Sequence, residues 1–459
     1  MNRTCCTMLL LWPLSLTACQ SYAPAPLDLS AHRTSMERRD PAAAEVTAYA
    51  NRFQTAADAA TVYDPADGLS LAEAEVVALF FNPELRLARL KANVPRVGAV
   101  EAGRWEDPEL AIDGARILDN VEDRWVLGGI VNVTIPISGR LGVEREKARA
   151  EATVEELRAL ADERRVLAEL RAAWAEWSAA SERAALTRQF VAELDPAVER
   201  AERLRAAGEL DPVDARLLRI ERVTQTATLN RHQSDAQAAE FELKARLGLV
   251  PTADVKLTPS IRPRLVSLSE SQWSARVAEH PRVRLARAEY EVAERTLKLE
   301  IRKQYPDLQL GGGFGADEGD ERVLFGAALP LPLLNANRRA IAEARAEREV
   351  ARAAAQGEYE RLLAEATVAQ TRLVAARERL SFVEKELAPL ADQQLMEARR
   401  LTQLGEFDTL VLLEALTAAH AAKLEVLDAR LSVTLGGRRL EALLEADAPA
   451  DGRTHQEKP

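Results

Sequence analysis

Apolar positions over most of the chain recur in steps of three and four residues, which is the period of an amphipathic helix. The two longest stretches of this kind cover 140–207 and 338–404, and at about 1.5 Å per residue each would be roughly 100 Å long. Each contains one proline, Pro196 or Pro389, at which we expect a kink. A returning helix follows each stretch, and the second carries a seam typical of an antiparallel coiled coil, formed by Leu410, Leu413, Thr417, His420, Leu424, Leu427 and Leu431.

Four short segments break the helical pattern with a period of two, which predicts β-strands. They form two pairs, 111–117 with 125–135 and 308–315 with 323–329, and a predicted helix precedes each pair. The glycine run at 311–315 lacks the lysine and the following helix of a phosphate-binding loop, so a bend in a strand suits it better. The chain is therefore predicted to be mainly α with a small β part.

The plan of the chain occurs twice. Four landmarks recur in the same order 196 to 198 residues apart: Asn82-Pro83 and His280-Pro281, Pro108 and Pro306, Pro136 and Pro332, and Gly208 and Gly405. A constant spacing of this kind indicates a tandem duplication. We predict repeat 1 at 69–250 and repeat 2 at 266–445, joined by a proline-rich linker at 251–265.

The N-terminus predicts a secreted protein. Residues 1–18 combine a basic start with a short apolar core, which is typical of a signal peptide and too short for a membrane span. The ending Leu16-Thr17-Ala18-Cys19 resembles a bacterial lipobox, which implies that Cys19 is lipidated and becomes the first mature residue. The alternative is an ordinary signal peptide that contains a cysteine. Residues 19–68 are then expected to form a lipidated, partly helical strap, and 446–459 a disordered tail.

Composition excludes several classes of function. Aromatic residues make up 5% and charged residues 29% of the chain, which favours long helices with narrow apolar seams. The net charge of −11, without a basic stripe, argues against nucleic acid as a partner. Beyond the signal peptide, no apolar run reaches the roughly 18 residues of a transmembrane helix.

Neither a metal site nor a catalytic site is predicted. Apart from Cys19, both cysteines lie in the signal peptide, which rules out a disulfide or a thiolate metal site in the mature chain. The histidines lack the helical spacing of a metal-binding pair and are interpreted as surface or seam residues: His32, His232, His280, His420 and His455. Because no nucleophile–base arrangement or carboxylate pair stands out, we expect no cofactor and no enzymatic activity.

Four strands cannot cross a bilayer alone, because their open edges would leave backbone groups unpaired in hydrocarbon. Two copies would give eight strands and a filled interior, whereas three copies would give twelve and leave a lumen. Closed rings are the usual symmetry of such contacts. We therefore expect long antiparallel coiled-coil hairpins that form a trimeric periplasmic α-barrel, continuous with a 12-stranded transmembrane β-barrel.

The order and spacing of these features resemble the TolC-like outer membrane factor family over nearly the whole mature chain. The resemblance implies a homotrimer in the outer membrane that extends into the periplasm and docks onto a periplasmic membrane-fusion (adaptor) protein. It also implies an inner-membrane efflux pump, which we expect to be of the resistance-nodulation-division type. Segments 82–85, 107–110 and 136–140 are more similar to the cation and heavy-metal efflux branch than to other branches. The implied function is a passive duct for metal cations.

The turns after the long helices are the expected periplasmic tips and adaptor-docking surface. They comprise Gly208, Glu209, Leu210 and Asp211 in repeat 1, and Gly405, Glu406, Phe407 and Asp408 in repeat 2. Tips in the family carry an acid several residues after the glycine, and this acid faces the pore constriction. Asp214 fits that pattern, whereas repeat 2 has Val411 at the equivalent position and keeps Glu414 further on. The resemblance thus implies a constriction at Asp214 and Glu414; the alternative is that both are solvated helix acids.

Two other functions remain open. One is the outer component of a drug efflux or type I secretion system. The other, from a different class, is a structural coiled-coil lipoprotein, which would leave the repeated strand pairs unexplained. A passive duct takes its specificity from its pump, so the sequence leaves the exported substrate open.

Overall fold

The computed structural model describes residues 21–53, 63–116, 118, 125–261, 270–317 and 320–444. The predicted signal peptide, Cys19 and the C-terminal tail lie outside these residues. The chain divides at Asp40 into two compact units. In the first, helix α1 (Leu29–Glu37) is capped by Asp28, whose carboxylate accepts hydrogen bonds from the N–H groups of Ser30 and Ala31 at 2.9 and 3.0 Å.

After α2 (Ala44–Phe53), the second unit runs twice through two helices, two strands and a long helical hairpin, with bounds close to those predicted. The first pass comprises α3 (Leu71–Phe81), α4 (Pro83–Glu101), β1 (Glu109–Arg116), β2 (Trp125–Ile135), α5 (Arg140–Ala206) and α6 (Pro212–Arg246). The second comprises α7 (Glu270–Ala278), α8 (Pro281–Arg302), β3 (Leu308–Asp317), β4 (Asp320–Ala328), α9 (Arg338–Phe382), α10 (Ala388–Leu404) and α11 (Thr409–Leu444). Within the described ranges, no helix has an apolar stretch long enough to cross a membrane.

The residue before Pro83 or Pro281 caps the helix that the proline begins. The Asn82 side-chain oxygen accepts hydrogen bonds from the N–H groups of Glu84 and Leu85 at 2.9 and 3.1 Å. His280 occupies the same place in repeat 2, as the N-cap of α8. Proline is favoured at the first position of a helix because its missing N–H would have no partner there. Each predicted helix before a strand pair is therefore two helices, α3–α4 and α7–α8.

The two long helices respond differently to their prolines. Helix α5 is 67 residues long and continues without interruption through Pro196. In repeat 2 a π-helical turn at Val383–Leu387 separates α9 from α10, directly before Pro389. Proline cannot donate the hydrogen bond of a regular α-helix, and a wider turn at this point accommodates the missing donor. The expected irregularity in repeat 2 thus takes the form of a π-helical turn.

The strands form one antiparallel sheet in the order β1-β2-β3-β4. The central pairing of β2 with β3, in which Val131 lies opposite Gly312, joins the two repeats. In the helical part, too, the two repeats meet at the centre. Near the sheet their order is α4–α5–α8–α9, and farther away it is α6–α5–α11–α10. Helix α5 is therefore interior in both layers, and its Arg158 and Arg183 pair with Glu289 of α8 and Asp428 of α11.

Candidate functional site

One face of the sheet is apolar and exposed. In an antiparallel sheet, residues directly opposite each other point to the same side, so the register identifies the members of each face. The apolar face includes Leu110, Ile112, Leu127, Val131, Val133, Leu310, Phe314, Val323 and Phe325. Ile112 is 76% exposed and Phe325 is 90% exposed. An apolar surface that runs across four strands marks a membrane or protein interaction site.

The opposite face carries mainly small and polar residues, with Ile130 and Leu324 as larger apolar ones. The small and polar residues include Ala111, Asp113, Gly128, Asn132, Gly311, Gly313, Gly315, Arg322 and Gly326. Here β3 approaches β2 so closely that a Cβ atom at Gly313 would lie 2.1 Å from the Gly129 carbonyl oxygen. Only glycine fits such an approach of two backbones. The glycine run thus allows a close contact between the two repeats, and the register through it is continuous without a bulge.

An ion cluster links the sheet to the helices. Arg140, the first residue of α5, donates hydrogen bonds to Glu106 at 2.7 Å, Glu144 at 3.0 Å and Asp307 at 3.0 Å. Burial lowers the pKa of Arg140, but the hydrogen bonds to Glu106 and Glu144 and the charge of Asp307 outweigh burial and raise the pKa. Sequence analysis missed this cluster. A cation in the first turn of a helix opposes the helix dipole, and that conflict is the signal that could have indicated an acidic partner.

The tip of repeat 1 is a tight turn between α5 and α6. Gly208 adopts a φ of +77°, a left-handed conformation that glycine tolerates best. Asp211 caps α6, because its carboxylate accepts the Val213 N–H at 2.7 Å. Glu209 is exposed, whereas Leu210 is half-buried against an apolar cluster. Each residue of the predicted motif therefore has a defined place in the turn.

The tip of repeat 2 has the same construction. Gly405 has a φ of +99°, and the Asp408 carboxylate accepts the N–H groups of Leu410 and Val411 at 3.0 and 3.1 Å. Glu406 is exposed, and Phe407 packs half-buried with the Arg200 guanidinium 5.6 Å from its ring centre.

The two tips share one apolar cluster. Its buried members come from α5, α6, α10 and α11: Phe190, Leu194, Ala197, Ala201, Ala215, Leu218, Leu395, Ala398, Leu412, Ala415, Leu416 and Ala419. Leu210 and Phe407 both pack against it. A groove of about 340 Å³ lies beside Phe407 and is lined by Leu401, Thr402, Glu406 and Val411 among others. The structure thus brings the two predicted tips together.

The two acids predicted for a constriction lie just beyond these turns. Asp214 is half-buried in the first turn of α6, where a negative charge interacts favourably with the helix dipole. Glu414 is exposed in the second turn of α11. Both lie on helices that begin at the tips, and their role in a constriction remains a prediction.

Two histidines of the second unit, His232 and His420, lie near each other, whereas His280 caps α8. His420 is buried in the α11 seam and stacks on Phe190 with ring centres 4.3 Å apart. Burial, with Lys423 and His232 nearby, lowers the pKa of His420 to about 4. In the part of the chain that the structure describes, no group of three or more His, Cys, Asp or Glu residues could hold a metal ion.

Comparison with known proteins identifies the fold. No protein-family model matches the chain. The chain is similar to CusC, with a TM-score of 0.70 and 16% identity over 82% of this chain and 92% of that one. It is also similar to the outer membrane protein VceC of Vibrio cholerae, with a TM-score of 0.69 and 18% identity over 83% and 97% of the two chains.

The chain has the TolC-like outer membrane factor fold. The resemblance inferred from its sequence is confirmed at this level, and the similar proteins of this fold are channel proteins rather than enzymes. A curated relative is the cobalt-zinc-cadmium resistance protein CzcC of Cupriavidus metallidurans, 23% identical over 229 residues. The match covers 50% of this chain and 55% of CzcC, so the chain spans about half the length of this relative.

Proposed function

We propose that this chain is the outer-membrane channel of a tripartite efflux system, a passive homotrimeric duct that carries metal cations out of the cell. The observation that carries the proposal is the exposed apolar face of a sheet whose other face is mainly small and polar. In a closed barrel the apolar face would meet lipid and the polar face would line a lumen. Cys19, which lies outside the described residues, would add a lipid anchor in the same membrane.

The unpaired edges of the protomer support assembly into a ring. Every layer has one edge from repeat 1 and one from repeat 2: β1 and β4 in the sheet, α4 and α9 beside it, and α6 and α10 towards the tips. Apolar residues are exposed on these edges at Leu90, Val94, Val213, Ile220, Val223, Leu390 and Leu404. Because the two edges of each layer differ, contacts between copies are head-to-tail, and such contacts form a ring where the rotation between copies closes. Three copies give twelve strands and a lumen.

Metal cations are the substrate class that the comparisons favour, because CzcC is a cobalt-zinc-cadmium resistance protein. In the proposed trimer Asp214 and Glu414 contribute three copies each to a constriction near the tips, and a ring of acids favours cations. A passive duct needs an energy source, so the tips dock onto a periplasmic adaptor that connects to an inner-membrane pump of the resistance-nodulation-division type.

Substitutions that introduce a negative charge at the tips test whether the tips are the docking surface. We expect Leu210→Asp and Phe407→Asp each to reduce export of cobalt, zinc or cadmium at least about tenfold, since loss of an interface hot spot costs about 2 kcal/mol or more. Export is measured as the metal content of cells that carry the matching pump and adaptor. Cross-linked trimer in isolated outer membranes should remain at the level of the unmodified chain.

Phe407→Leu is the matched control, because it keeps an apolar side chain against the shared cluster and should retain export. Normal export by both aspartate variants would exclude the tips as the docking surface. Loss of trimer in both variants would show instead that these residues act through assembly.

A further inference from the structure

The two repeats use chemically different side chains at the same helix junction. In repeat 1, Asn82 caps α4 and its Nδ2 donates a hydrogen bond to the Arg246 carbonyl at the end of α6, at 2.8 Å. In repeat 2, His280 caps α8 and its Nε2 lies 3.2 Å from the Ala442 carbonyl near the end of α11. Both side chains thus cap one helix and tie it to the end of another.

The hydrogen bonds of His280 fix its protonation state. A carbonyl oxygen only accepts, so Nε2 must carry the hydrogen that points to Ala442. Nδ1 must then be unprotonated, because it accepts the Arg282 N–H at 3.2 Å. A second proton would have to bind Nδ1, where it would face that N–H donor. Protonation of His280 is therefore incompatible with the cap, whereas the amide of Asn82 does not titrate.

The surroundings of His280 also disfavour a positive charge. The residue is 6% exposed, and burial is the main reason that its pKa is lowered. The hydrogen bond to Ala442 of α11 raises the pKa, as does Glu358 of α9, while Arg282 of α8 and Arg164 of α5 lower it. Glu358 is engaged by Arg282 at 2.7 Å, and Glu441 of α11 by Arg438 at 3.2 Å. The neighbouring acids are therefore already paired with arginines.

We propose that His280 makes the α7–α8 junction of repeat 2 an acid-sensitive switch, while Asn82 keeps the corresponding junction of repeat 1 insensitive. The pKa of His280 is lower in the folded than in the unfolded chain, so its contribution is complete above the ordinary histidine value of about 6.5. As pH falls below that value, the unfolded chain binds the proton first and stability is lost. Acid thus separates the start of α8 from the end of α11 without affecting α4 and α6. This inference rests on the fold and does not depend on the proposed function.

Hydrogen exchange of the full-length, detergent-extracted protein tests the switch. Peptides covering 280–290 and 82–92 are compared at about pH 7.5 and about pH 5, either side of the ordinary histidine pKa, after correction for intrinsic exchange. We expect protection at 280–290 to fall several-fold in acid, because the pKa of His280 is lowered in the folded chain, and protection at 82–92 to stay within about twofold.

His280→Asn installs the cap of repeat 1 in repeat 2 and should abolish the response at 280–290. An equal response at both junctions of the unmodified protein, no response at either, or a full response in His280→Asn would each overturn the proposal. If His280→Asn fails to fold, the comparison of the two junctions within the unmodified chain still decides.

Discussion

Gly313→Ala is expected to prevent the four-stranded sheet from forming. The added Cβ would lie 2.1 Å from the Gly129 carbonyl oxygen and 2.8 Å from the Ile130 Cα, both of which are backbone atoms of β2. Relief would require β2 and β3 to separate, and this pair joins the two repeats. We expect a cost of about 4 kcal/mol or more, in the range of severe core overpacking or backbone strain. The measurement is the amount of full-length chain in the outer-membrane fraction.

Gly312→Ala is the control within the same strand. Gly312 points to the apolar face, where a Cβ would have no atom within 4 Å. This variant should accumulate like the unmodified protein. Equal accumulation of both alanine variants would show that the close approach of β2 and β3 does not limit assembly.

Arg140→Ala is expected to give the second largest loss of stability, because the Arg140 guanidinium donates hydrogen bonds to carboxylates of both repeats. The Arg140 side chain is 18% exposed, and its removal would leave Asp307 and Glu144 without their cation. Asp307 Oδ1 is already buried without a hydrogen bond from any described residue. Because these side chains are part-buried, we expect a cost between that of an exposed ion pair and the roughly 3 kcal/mol of a fully buried one. The measurement is the denaturant midpoint of the extracted full-length protein.

Arg339→Ala controls for the loss of an arginine at the start of a long helix. Arg339 is 89% exposed and pairs with Glu343 one turn away at 2.8 Å, and solvent screening leaves such an exposed pair with little effect on stability. The midpoint should therefore change little. A similar shift in Arg140→Ala and Arg339→Ala would contradict a bracing role for the Arg140 cluster.

Elements whose ends are marked by particular residues nearby in the chain were predictable from the sequence. The starts of α5 and α9 at Arg140 and Arg338 agree with the prediction, because each follows a residue in a left-handed conformation, Gly139 or Asn337. The presence of a proline predicted a kink at Pro389, and the structure has a π-helical turn at Val383–Leu387 just before it.

Contacts between the repeats were beyond sequence reasoning. The pairing of β2 with β3 and the hydrogen bond from Arg140 to Asp307 join residues that are far apart in the chain. Period-two alternation predicts that strands exist but not which strands are neighbours. The recurrence of Gly-Glu-apolar-Asp at the tips is explained by turn geometry, with the aspartate as a helix cap. The docking role of the tips therefore rests on the export assay.

Single-channel recording in planar bilayers tests the proposed duct most directly. Purified full-length protein is compared with Asp214→Ala/Glu414→Ala, and ion selectivity is taken from the reversal potential under a salt gradient. A trimeric duct with an acidic constriction predicts cation-selective steps that divalent ions block, with larger and less selective steps in the double variant. Absence of conductance from both proteins, at a protein level that is verified in the bilayer, would contradict a duct and favour a structural lipoprotein.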